Sequence, residues 1–247
     1  VTGTANLATG NVAYTYTFSE AVTGLASGDF TVTNGSISSI TGSGTTWTVN
    51  VTPAPGVAGG NISLALVAGA VNDTAGNPNA ASTEVTQAID TVAPTAATFN
   101  AVAGNNTINI AERNATVTVT GTNESGSTVT LNGNAAIVSG TTWSYNLSAE
   151  QINAFGQGSE TLTAVSTDAN GNTTSSTRDI SVDTLAPTAT ITISNNPNNN
   201  LNFNVAFSES VSNVDAGDFN LTGTAATTAV IQPVTGSGAT YTVNVTY

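Results

Sequence analysis

Residues 12–18 read Val-Ala-Tyr-Thr-Tyr-Thr-Phe, with an apolar or aromatic side chain at every second position. The same alternation occurs in Trp47-Thr48-Val49-Asn50-Val51 and again in Tyr241-Thr242-Val243-Asn244-Val245. In an extended chain a period of two places every second side chain on the same face. Each stretch is therefore typical of a half-buried β-strand, and the alternation argues against disorder in this Gly- and Thr-rich chain.

The charge balance of the chain is unusual and excludes several classes of function. The 247 residues contain 15 acidic residues, no His, no Cys and only two basic residues, Arg113 and Arg178, so the net charge is -13. Without His or Cys there is no Ser-His or Cys-His nucleophile pair and no ordinary zinc site. Two isolated arginines do not make a phosphate-binding surface, so nucleic acid is not expected as a partner. We therefore expect a non-enzymatic protein whose carboxylates bind hard cations.

The composition also predicts a compartment. Only 7% of the residues are charged, and the net charge comes from missing bases rather than from an excess of acids, which points outside the cell. The absence of Cys means that stability depends on core burial, bound ions or both. No apolar run approaches 18 residues, so no membrane insertion is expected in this segment.

Internal repeats determine the predicted domain organisation. Phe18-Ser19-Glu20-Ala21-Val22 returns 189 positions later as Phe207-Ser208-Glu209-Ser210-Val211, and Gly28-Asp29-Phe30 returns at the same offset as Gly217-Asp218-Phe219. A second series repeats at about half that spacing. It relates Asp90-Thr91-Val92-Ala93-Pro94-Thr95 to Asp183-Thr184-Leu185-Ala186-Pro187-Thr188, and Asp73-Thr74-Ala75-Gly76-Asn77 to Asp168-Ala169-Asn170-Gly171-Asn172.

The repeats predict three tandem units in an A-B-A′ order. The units cover residues 1–90, 91–183 and 184–247, and the third is expected to lack its last strands, because it has no counterpart of Ile62-Ser63-Leu64-Ala65-Leu66. Each boundary contains an Asp-Thr-x-Ala-Pro-Thr segment, in which proline favours a short, extended linker. About seven short strands per unit, separated by turn residues, predict an all-β fold of tandem Ig-like β-sandwiches in an extended array.

Strands and core residues can be placed within these units. In the first unit we place strands at 11–18, 30–34, 36–41, 45–52, 61–67 and 83–89. We expect Trp47, Trp143 and Tyr241 to fill the cores, since each alternates with Val or Leu; a role as a glycan platform is the alternative. Ser148 is followed three positions later by Gln151, and this capping-box pattern predicts one short helix over 148–155.

The repeated motifs resemble a known family. Phe-Ser-Glu-x-Val with Gly-Asp-Phe, the Asp-x-x-Gly-Asn loop and the Asp-Thr-x-Ala-Pro-Thr linker resemble the tandem bacterial Ig-like repeats of large secreted, RTX-type adhesins and biofilm-associated surface proteins. The resemblance covers essentially the whole chain. It implies an extender region rigidified by Ca²⁺ on an extracellular protein of the bacterial cell surface. It does not indicate the adhesive target, which another region of such a protein would bind.

The direction of the strands predicts where the acidic side chains meet. In a sandwich of alternating strands, the B–C and F–G loops lie at the same pole, beside the linker from the preceding unit. Three groups follow from this geometry. The first pole gathers Glu20, Asp29, Asp73 and Asn77; the first junction gathers Asp90, Glu124, Asp168, Asn170 and Asn172; and the second junction gathers Asp183, Glu209 and Asp218.

These groups predict calcium sites between neighbouring units. Ca²⁺ takes six to eight oxygen ligands from carboxylates, amides, carbonyls and water, which such loops can supply. Without a cation, clustered carboxylates repel one another, by about 1 kcal/mol per pair at 4 Å in water. Two alternatives remain open: Asp73 and Asp168 make only Asx turns while Asp90 and Asp183 are solvated, or the groups bind another cation.

Three functions are compatible with the sequence. The first is a spacer whose partners are the neighbouring repeats of the same chain. The second is a self-assembling subunit of an extracellular filament or sheath, in which an incomplete sandwich accepts a strand from an identical neighbour. The third is a module that recognises glycan or protein through its loop tips. Many further repeats with a tip domain would favour the spacer, and few repeats would favour the filament subunit.

Overall fold

The computed structural model describes residues 10–195, 200–223 and 228–246 and confirms the all-β fold. By its internal contacts the chain divides into two compact units, Val1–Asp183 and Thr184–Tyr247. The first compact unit holds two hydrophobic cores, one built by residues 12–89 and one by residues 97–182. The division into three repeats remains a prediction. In the described part of the chain, no helix is long and apolar enough to cross a membrane.

Residues 10–89 form two antiparallel sheets around the first core. The strands are β1 (Val12–Val22), β2 (Phe30–Thr33), β3 (Gly35–Pro53), β4 (Asn61–Leu66) and β5 (Val85–Ala88). One sheet pairs β1 with β3, and the other has the order β2-β4-β5. Tyr14 lies opposite Val49 and Tyr16 opposite Trp47, so the alternating residues share one face, as the sequence predicts.

β3 differs from the sequence prediction, which places two strands in its range. It is one extended segment that folds back on itself, since the Ser38 hydroxyl donates to the Asn50 carbonyl and the Asn50 amide donates to the Ser39 hydroxyl. The bend contains Gly42 at φ 132°, where a Cβ atom would collide with the Thr46 carbonyl. Only glycine both adopts this positive φ readily and lacks a Cβ atom, so the turn depends on Gly42.

Residues 97–183 form a more regular sandwich around the second core. Its strands are β6 (Thr107–Asn109), β7 (Val117–Thr122), β8 (Thr128–Leu131), β9 (Asn134–Ala135), β10 (Ile137–Ser139), β11 (Thr142–Leu147), β12 (Gly158–Thr167) and β13 (Thr173–Asp183). They make a sheet of order β10-β11-β7 and one of order β6-β13-β12-β8-β9, in which β6 runs parallel to β13. Trp143 fills the core between them and is only 2% exposed.

Two short helices flank these strands. Helix α2 (Ala149–Phe155) confirms the capping-box prediction, because the Ser148 hydroxyl accepts from the Gln151 N–H at 3.1 Å and the Gln151 side chain accepts from the Ser148 N–H at 2.9 Å. Helix α1 (Ile110–Arg113) is not predicted above. It carries the same signal: Asn109 caps it and Glu112, three residues later, completes the box.

Replacing Ser148 with alanine should lower the free energy of unfolding by about 1 kcal/mol, the usual cost of a lost N-cap. The cap matters because α2 places Ile152, which is fully buried, into the second core. Urea unfolding of the whole chain measures the change. Ser139→Ala, at an exposed position of β10, is the matched control and should change stability by less than about 0.5 kcal/mol.

The compact unit Thr184–Tyr247 contributes a single sheet in its described residues. Its strands are β14 (Ala189–Asn195), β15 (Leu201–Phe207), β16 (Val230–Ile231), β17 (Thr235–Ser237) and β18 (Thr240–Thr246). The order is β14-β15-β18-β16, with β17 also paired to β18. Tyr241 is buried, as expected, whereas Trp47 lies only half-buried at the margin of the first core, with its indole N–H donating to the Gly44 carbonyl.

Candidate metal centre

The loop between β12 and β13 is organised around the carboxylate of Asp168. One of its oxygens accepts the backbone N–H groups of Asn170 and Asn172 at 2.8 and 2.9 Å, and the other accepts the Asn172 side-chain amide at 2.9 Å. Gly171 closes the turn at φ 90°. The Asx turn expected as an alternative is therefore present, and it holds the backbone of Asn170 and Asn172 beside the Asp168 carboxylate.

This loop contacts the linker that precedes it by about 80 residues in sequence. The Asn170 amide donates to a carboxylate oxygen of Asp90 at 2.6 Å, and the Asn172 amide donates to the Asp90 backbone carbonyl at 3.1 Å. The other carboxylate oxygen of Asp90 accepts the Val92 N–H at 3.1 Å. Asn172 is only 1% exposed, so the linker is seated on the loop.

Glu124 completes the group at this junction. Its carboxylate accepts the backbone N–H of Thr95 at 2.9 Å, which ties the turn between β7 and β8 to the same linker. One pocket of about 300 Å³ is lined by Asp90, Glu124, Asp168 and Asn170, together with Ala58 from the preceding sandwich. Among the described residues that line this pocket, three are acidic and none is basic. The five residues predicted to meet at the first junction are thus brought together.

The surroundings of Asp168 favour its charged form. Burial disfavours ionisation, but the hydrogen bonds from the side chain and backbone of Asn172 and from the backbone of Asn170 outweigh it. Together they hold the pKa of the Asp168 carboxyl below its ordinary value. The pKa of Asp73 is lowered as well, chiefly by the hydrogen bond from the Asn77 side chain.

The oxygen-rich junction has the donor chemistry of a hard-cation site but not its closed geometry. Among residues 10–195, 200–223 and 228–246, no three acidic side chains are already grouped closely enough to hold a metal ion. Several oxygens at the first junction instead accept N–H donors, as Asp90 does from Asn170. Each carboxylate oxygen keeps further lone pairs.

The first pole repeats the loop geometry. Asp73 accepts the N–H groups of Ala75 and Asn77 at 2.9 and 2.8 Å and the Asn77 side-chain amide at 2.8 Å. Glu20, Asp73 and Asn77 line one pocket of about 470 Å³. Asp29 does not line it; its carboxylate accepts the Ala26 N–H at 2.7 Å and closes the turn before β2.

The third predicted group is divided between the two compact units. Asp183 is the exposed last residue of β13, whereas Glu209 and Asp218 lie in Thr184–Tyr247. Asp218 accepts the Asp215 N–H at 2.9 Å, which is the same turn closure that Asp29 makes. The grouping of Asp183 with the other two residues therefore remains a prediction.

Thr91 is a junction residue that the sequence analysis did not single out. It is only 4% exposed; its hydroxyl accepts the Val57 N–H at 2.9 Å and donates to the Ala54 carbonyl at 2.8 Å. Its own N–H donates to the Val57 carbonyl at 2.8 Å. A signal was available, because Asp-Thr recurs at 183–184 and Thr184 is also buried, at 7% exposure.

Acidification should loosen the loop of Asp168. A carboxyl with a lowered pKa in the folded state stabilises that state above its unfolded pKa, near 3.9, and this contribution disappears as the pH falls through the folded pKa. An NMR titration of the Asp168 carboxyl carbon, in the folded and the urea-unfolded chain, measures both values. We expect the lower pKa in the folded chain. Equal values would show that the hydrogen bonds do not favour the charged form.

Comparison with known proteins gives a family match for the first part of the chain. Residues 1–89 match the model of the bacterial Ig-like domain. A search of curated proteins found no match. A Ca²⁺-stabilized adhesin of an Antarctic bacterium that binds ice is similar over 96% of this chain and 60% of its own, at 19% identity and a TM-score of 0.37. The chain thus spans less than two thirds of that structure.

Two further solved structures are similar. A 1.5-MDa bacterial ice-binding adhesin matches over 95% of this chain and 79% of its own, at 18% identity and a TM-score of 0.35. A tetra-tandem repeat from the extending region of a large adhesion protein matches over 90% of this chain and 54% of its own, at 16% identity and a TM-score of 0.30.

Proposed function

From the membership of residues 1–89 in the bacterial Ig-like domain family, we propose that the chain is part of the stalk of a bacterial cell-surface or secreted adhesin. Its tandem units act as a spacer at the extracellular side of the cell, and they perform no catalysis. The internal repeats support this reading, since a spacer gains length by repeating one folding unit. The adhesive target and any role in biofilms belong to other parts of such a protein.

The contact between linker and loop at the first junction carries the proposal. Asp90 is held by Asn170 and Asn172, while Thr91 is held by the turn at Ala54 and Val57, so each half of the Asp-Thr pair binds a different sandwich. A linker bonded at both ends restricts the hinge between its neighbours. A spacer needs this property, because bending shortens the reach of whatever it carries.

We further propose that Ca²⁺ stiffens this junction. Asp90, Glu124 and Asp168 carry three negative charges around one pocket, and in the described residues no basic side chain lines it. A divalent cation would replace their mutual repulsion by attraction and would join the linker to both loops of the second sandwich. Asn170 and Asn172 would supply amide oxygens after their side chains turn. The equivalent group at the first pole would act in the same way.

Calcium should narrow the distance distribution across the first junction. The chain has no cysteine, so Thr31→Cys and Ser159→Cys, both at exposed strand positions, can carry spin labels on either side of it. Double electron–electron resonance should give a narrower distribution with Ca²⁺ than with chelator. Labels at Thr31 and Thr86, within one sandwich, are the control and should give the same width in both conditions.

Substitution of the ligands tests the assignment. Asp90→Asn combined with Asp168→Asn should weaken Ca²⁺ binding at this junction at least tenfold in calorimetry, equivalent to about 1.4 kcal/mol, and should remove the narrowing. Asp73→Asn, which alters the matching loop of the first pole, should leave the narrowing intact. If the distance distribution across the junction has the same width with and without Ca²⁺, the cation does not stiffen the junction. The spacer function would still stand, since the hydrogen bonds of Thr91 do not involve metal.

One observation favours the filament subunit as a second candidate. The sheet of Thr184–Tyr247 exposes Ile191 and Ile193, at 57% and 63%. An exposed apolar strand is a surface for pairing with another chain. Light scattering over a hundredfold concentration range distinguishes the candidates, because a filament subunit grows in mass with concentration whereas a spacer segment stays monomeric.

A further inference from the structure

Residues 97–100, here called the entry segment, lead the chain from the linker into the second sandwich. The N–H groups of Thr98 and Asn100 donate to the Thr122 and Thr120 carbonyls of β7, both at 2.8 Å. Positions rise along one partner and fall along the other, so the entry segment runs antiparallel to β7. It is thereby bonded along one edge to the sheet of order β10-β11-β7.

Three successive carbonyls of the entry segment are bonded by side chains. The Ser176 hydroxyl donates to the Ala97 carbonyl at 2.5 Å, and the Arg178 guanidinium donates to the Phe99 carbonyl at 2.9 Å. The carbonyl between those two accepts the Trp143 indole N–H at 3.0 Å. Ser176 and Arg178 belong to β13 in the other sheet, so the entry segment is bonded to both sheets at once.

Arg178 is one of two basic residues in a chain with 15 acidic residues, yet it donates to the backbone. Its guanidinium carbon lies 6.0 Å from the centre of the ring of Phe99, the same residue whose carbonyl it binds. A charged donor makes a stronger hydrogen bond than a neutral one, and an aromatic ring attracts a cation over its face. Arg178 therefore holds Phe99 through both its backbone and its side chain.

β13 is the strand through which the chain leaves the second sandwich. It follows directly after the loop that holds Asp90 and it ends at Asp183, so it runs away from the linker. The entry segment starts at the linker and runs away from it as well. Tension on the chain at these two ends would therefore pull the entry segment and β13 in opposite directions along the strand axes.

β6 adds backbone pairing between the same two parts of the chain. It follows the entry segment and runs parallel to β13, with Ile108 opposite Val182 in the second core. Strands that are pulled in opposite directions along their axes load all of their hydrogen bonds together, whereas strands that are peeled from one end break them one at a time. The bonds made by β6, Ser176 and Arg178 are thus placed where they resist tension together.

We propose that the second sandwich is a load-bearing unit in which Ser176 and Arg178 clamp the entry segment to β13. The bonded residues are 79 positions apart in sequence, so tension passes from the entry segment directly to the strand that leaves the sandwich. The residues between them are stretched only when this clamp breaks. The inference rests on the proposed stalk for the origin of the force. It does not depend on Ca²⁺, because neither bond of the clamp involves a carboxylate.

Single-molecule force spectroscopy of the whole chain tests the clamp. Val92→Cys and Leu185→Cys, at exposed positions in a chain without cysteine, attach the handles so that the load crosses the second sandwich alone. Ser176→Ala combined with Arg178→Met removes both donors of the clamp. At constant force and with chelator present, this double variant should unfold faster by about tenfold or more, since forced unfolding follows the unfolding rate.

A matched control and a second pulling direction separate load-bearing from general stability. Ser175→Ala combined with Thr177→Val changes exposed neighbouring positions of β13 and should alter the rate by less than about twofold. Handles at Ser139→Cys and Leu185→Cys load the sandwich through β10 instead of the entry segment. In that direction the double variant of the clamp should unfold less than about threefold faster, because the load does not enter through the clamp.

Equal acceleration in the two pulling directions would show that Ser176 and Arg178 only stabilise the fold, and it would overturn the clamp. An unchanged rate between the handles at 92 and 185 would overturn it as well. If the double variant is unfolded by circular dichroism, Ser176→Ala alone is measured and should show the same difference between the two directions. Failure of the stalk is recognised separately, because light scattering tests it on the unmodified chain whereas the force is measured on single molecules.

Discussion

Trp143→Ala is expected to cost about 3–5 kcal/mol of the stability of the second sandwich, the range for a large side chain removed from a packed core. Trp143 is 2% exposed, and its ring meets that of Phe99 edge-on at 5.3 Å. Its indole N–H donates to the Thr98 carbonyl at 3.0 Å. Alanine therefore leaves both a cavity and a carbonyl without its donor. Urea unfolding monitored by circular dichroism measures the loss.

Two further variants separate these causes. Trp143→Phe keeps a ring against Phe99 but removes the N–H donor, so it should cost clearly less than alanine. Trp47→Ala removes the half-buried tryptophan of the first core and should cost less than Trp143→Ala, since less of its surface leaves water on folding. A cost below about 1 kcal/mol for Trp143→Ala would show that this residue does not hold the core together.

The alternation of apolar and polar residues was enough to predict the strands, but it did not show where they bend. The strands predicted at 11–18 and 45–52 fall on β1 and β3, because their alternation matches a sheet with one buried face. The predicted break between 36–41 and 45–52 was wrong, since β3 continues through Gly42. A glycine at positive φ keeps the hydrogen bonds of the ladder while it turns the chain, so the composition of a turn does not show where a strand ends.

Both short helices begin with a capping box, but only one of them was predicted. Ser148 and Gln151 predicted α2, whereas the equivalent pair of Asn109 and Glu112 did not lead to a prediction of α1. The reason is physical: α1 has four residues and none of them is buried, so no apolar period accompanies its cap. A capping box satisfies N–H groups at any helix start, but only a buried face makes the helix visible in the hydrophobic pattern.

The candidate site was predictable where strand direction alone determines it. Asp90 and Asn170 are 80 residues apart, yet alternating strands return the second loop to the linker, and the structure places their side chains 2.6 Å apart. Asp29 was assigned to the first pole by the same reasoning; its carboxylate accepts the nearby Ala26 N–H, and its grouping with Glu20 and Asp73 remains a prediction. Topology determines which loops lie near each other. Which partner each side chain then bonds depends on local hydrogen-bonding groups, and the sequence pattern does not show which of them it bonds.

The role of Thr91 could not be read from its residue type, because Thr is common throughout this chain. What distinguishes it is burial at a linker, where a polar group needs partners. The turn at Ala54 and Val57 presents one donor, the Val57 N–H, and one acceptor, the Ala54 carbonyl. A hydroxyl can accept from the first and donate to the second, and the Thr91 hydroxyl does both. The linker is thus anchored to the preceding sandwich by the hydroxyl and the backbone N–H of Thr91, and to the following one by Asp90 and by the Thr95 N–H that Glu124 accepts.

Thr91→Val should destabilise the first junction by about 1–3 kcal/mol, because an isosteric methyl leaves the Val57 N–H and the Ala54 carbonyl without the hydroxyl that satisfies them. The spin-label distribution between Thr31 and Ser159 should broaden even with Ca²⁺ present, since the anchor to the preceding sandwich is lost while the cation ligands are unchanged. Thr95→Val is the matched control: this exposed linker residue contacts Glu124 through its backbone N–H, which valine keeps. If Thr91→Val leaves both the width of the distance distribution and the urea stability unchanged, the Thr91 hydroxyl does not hold the linker to the preceding sandwich.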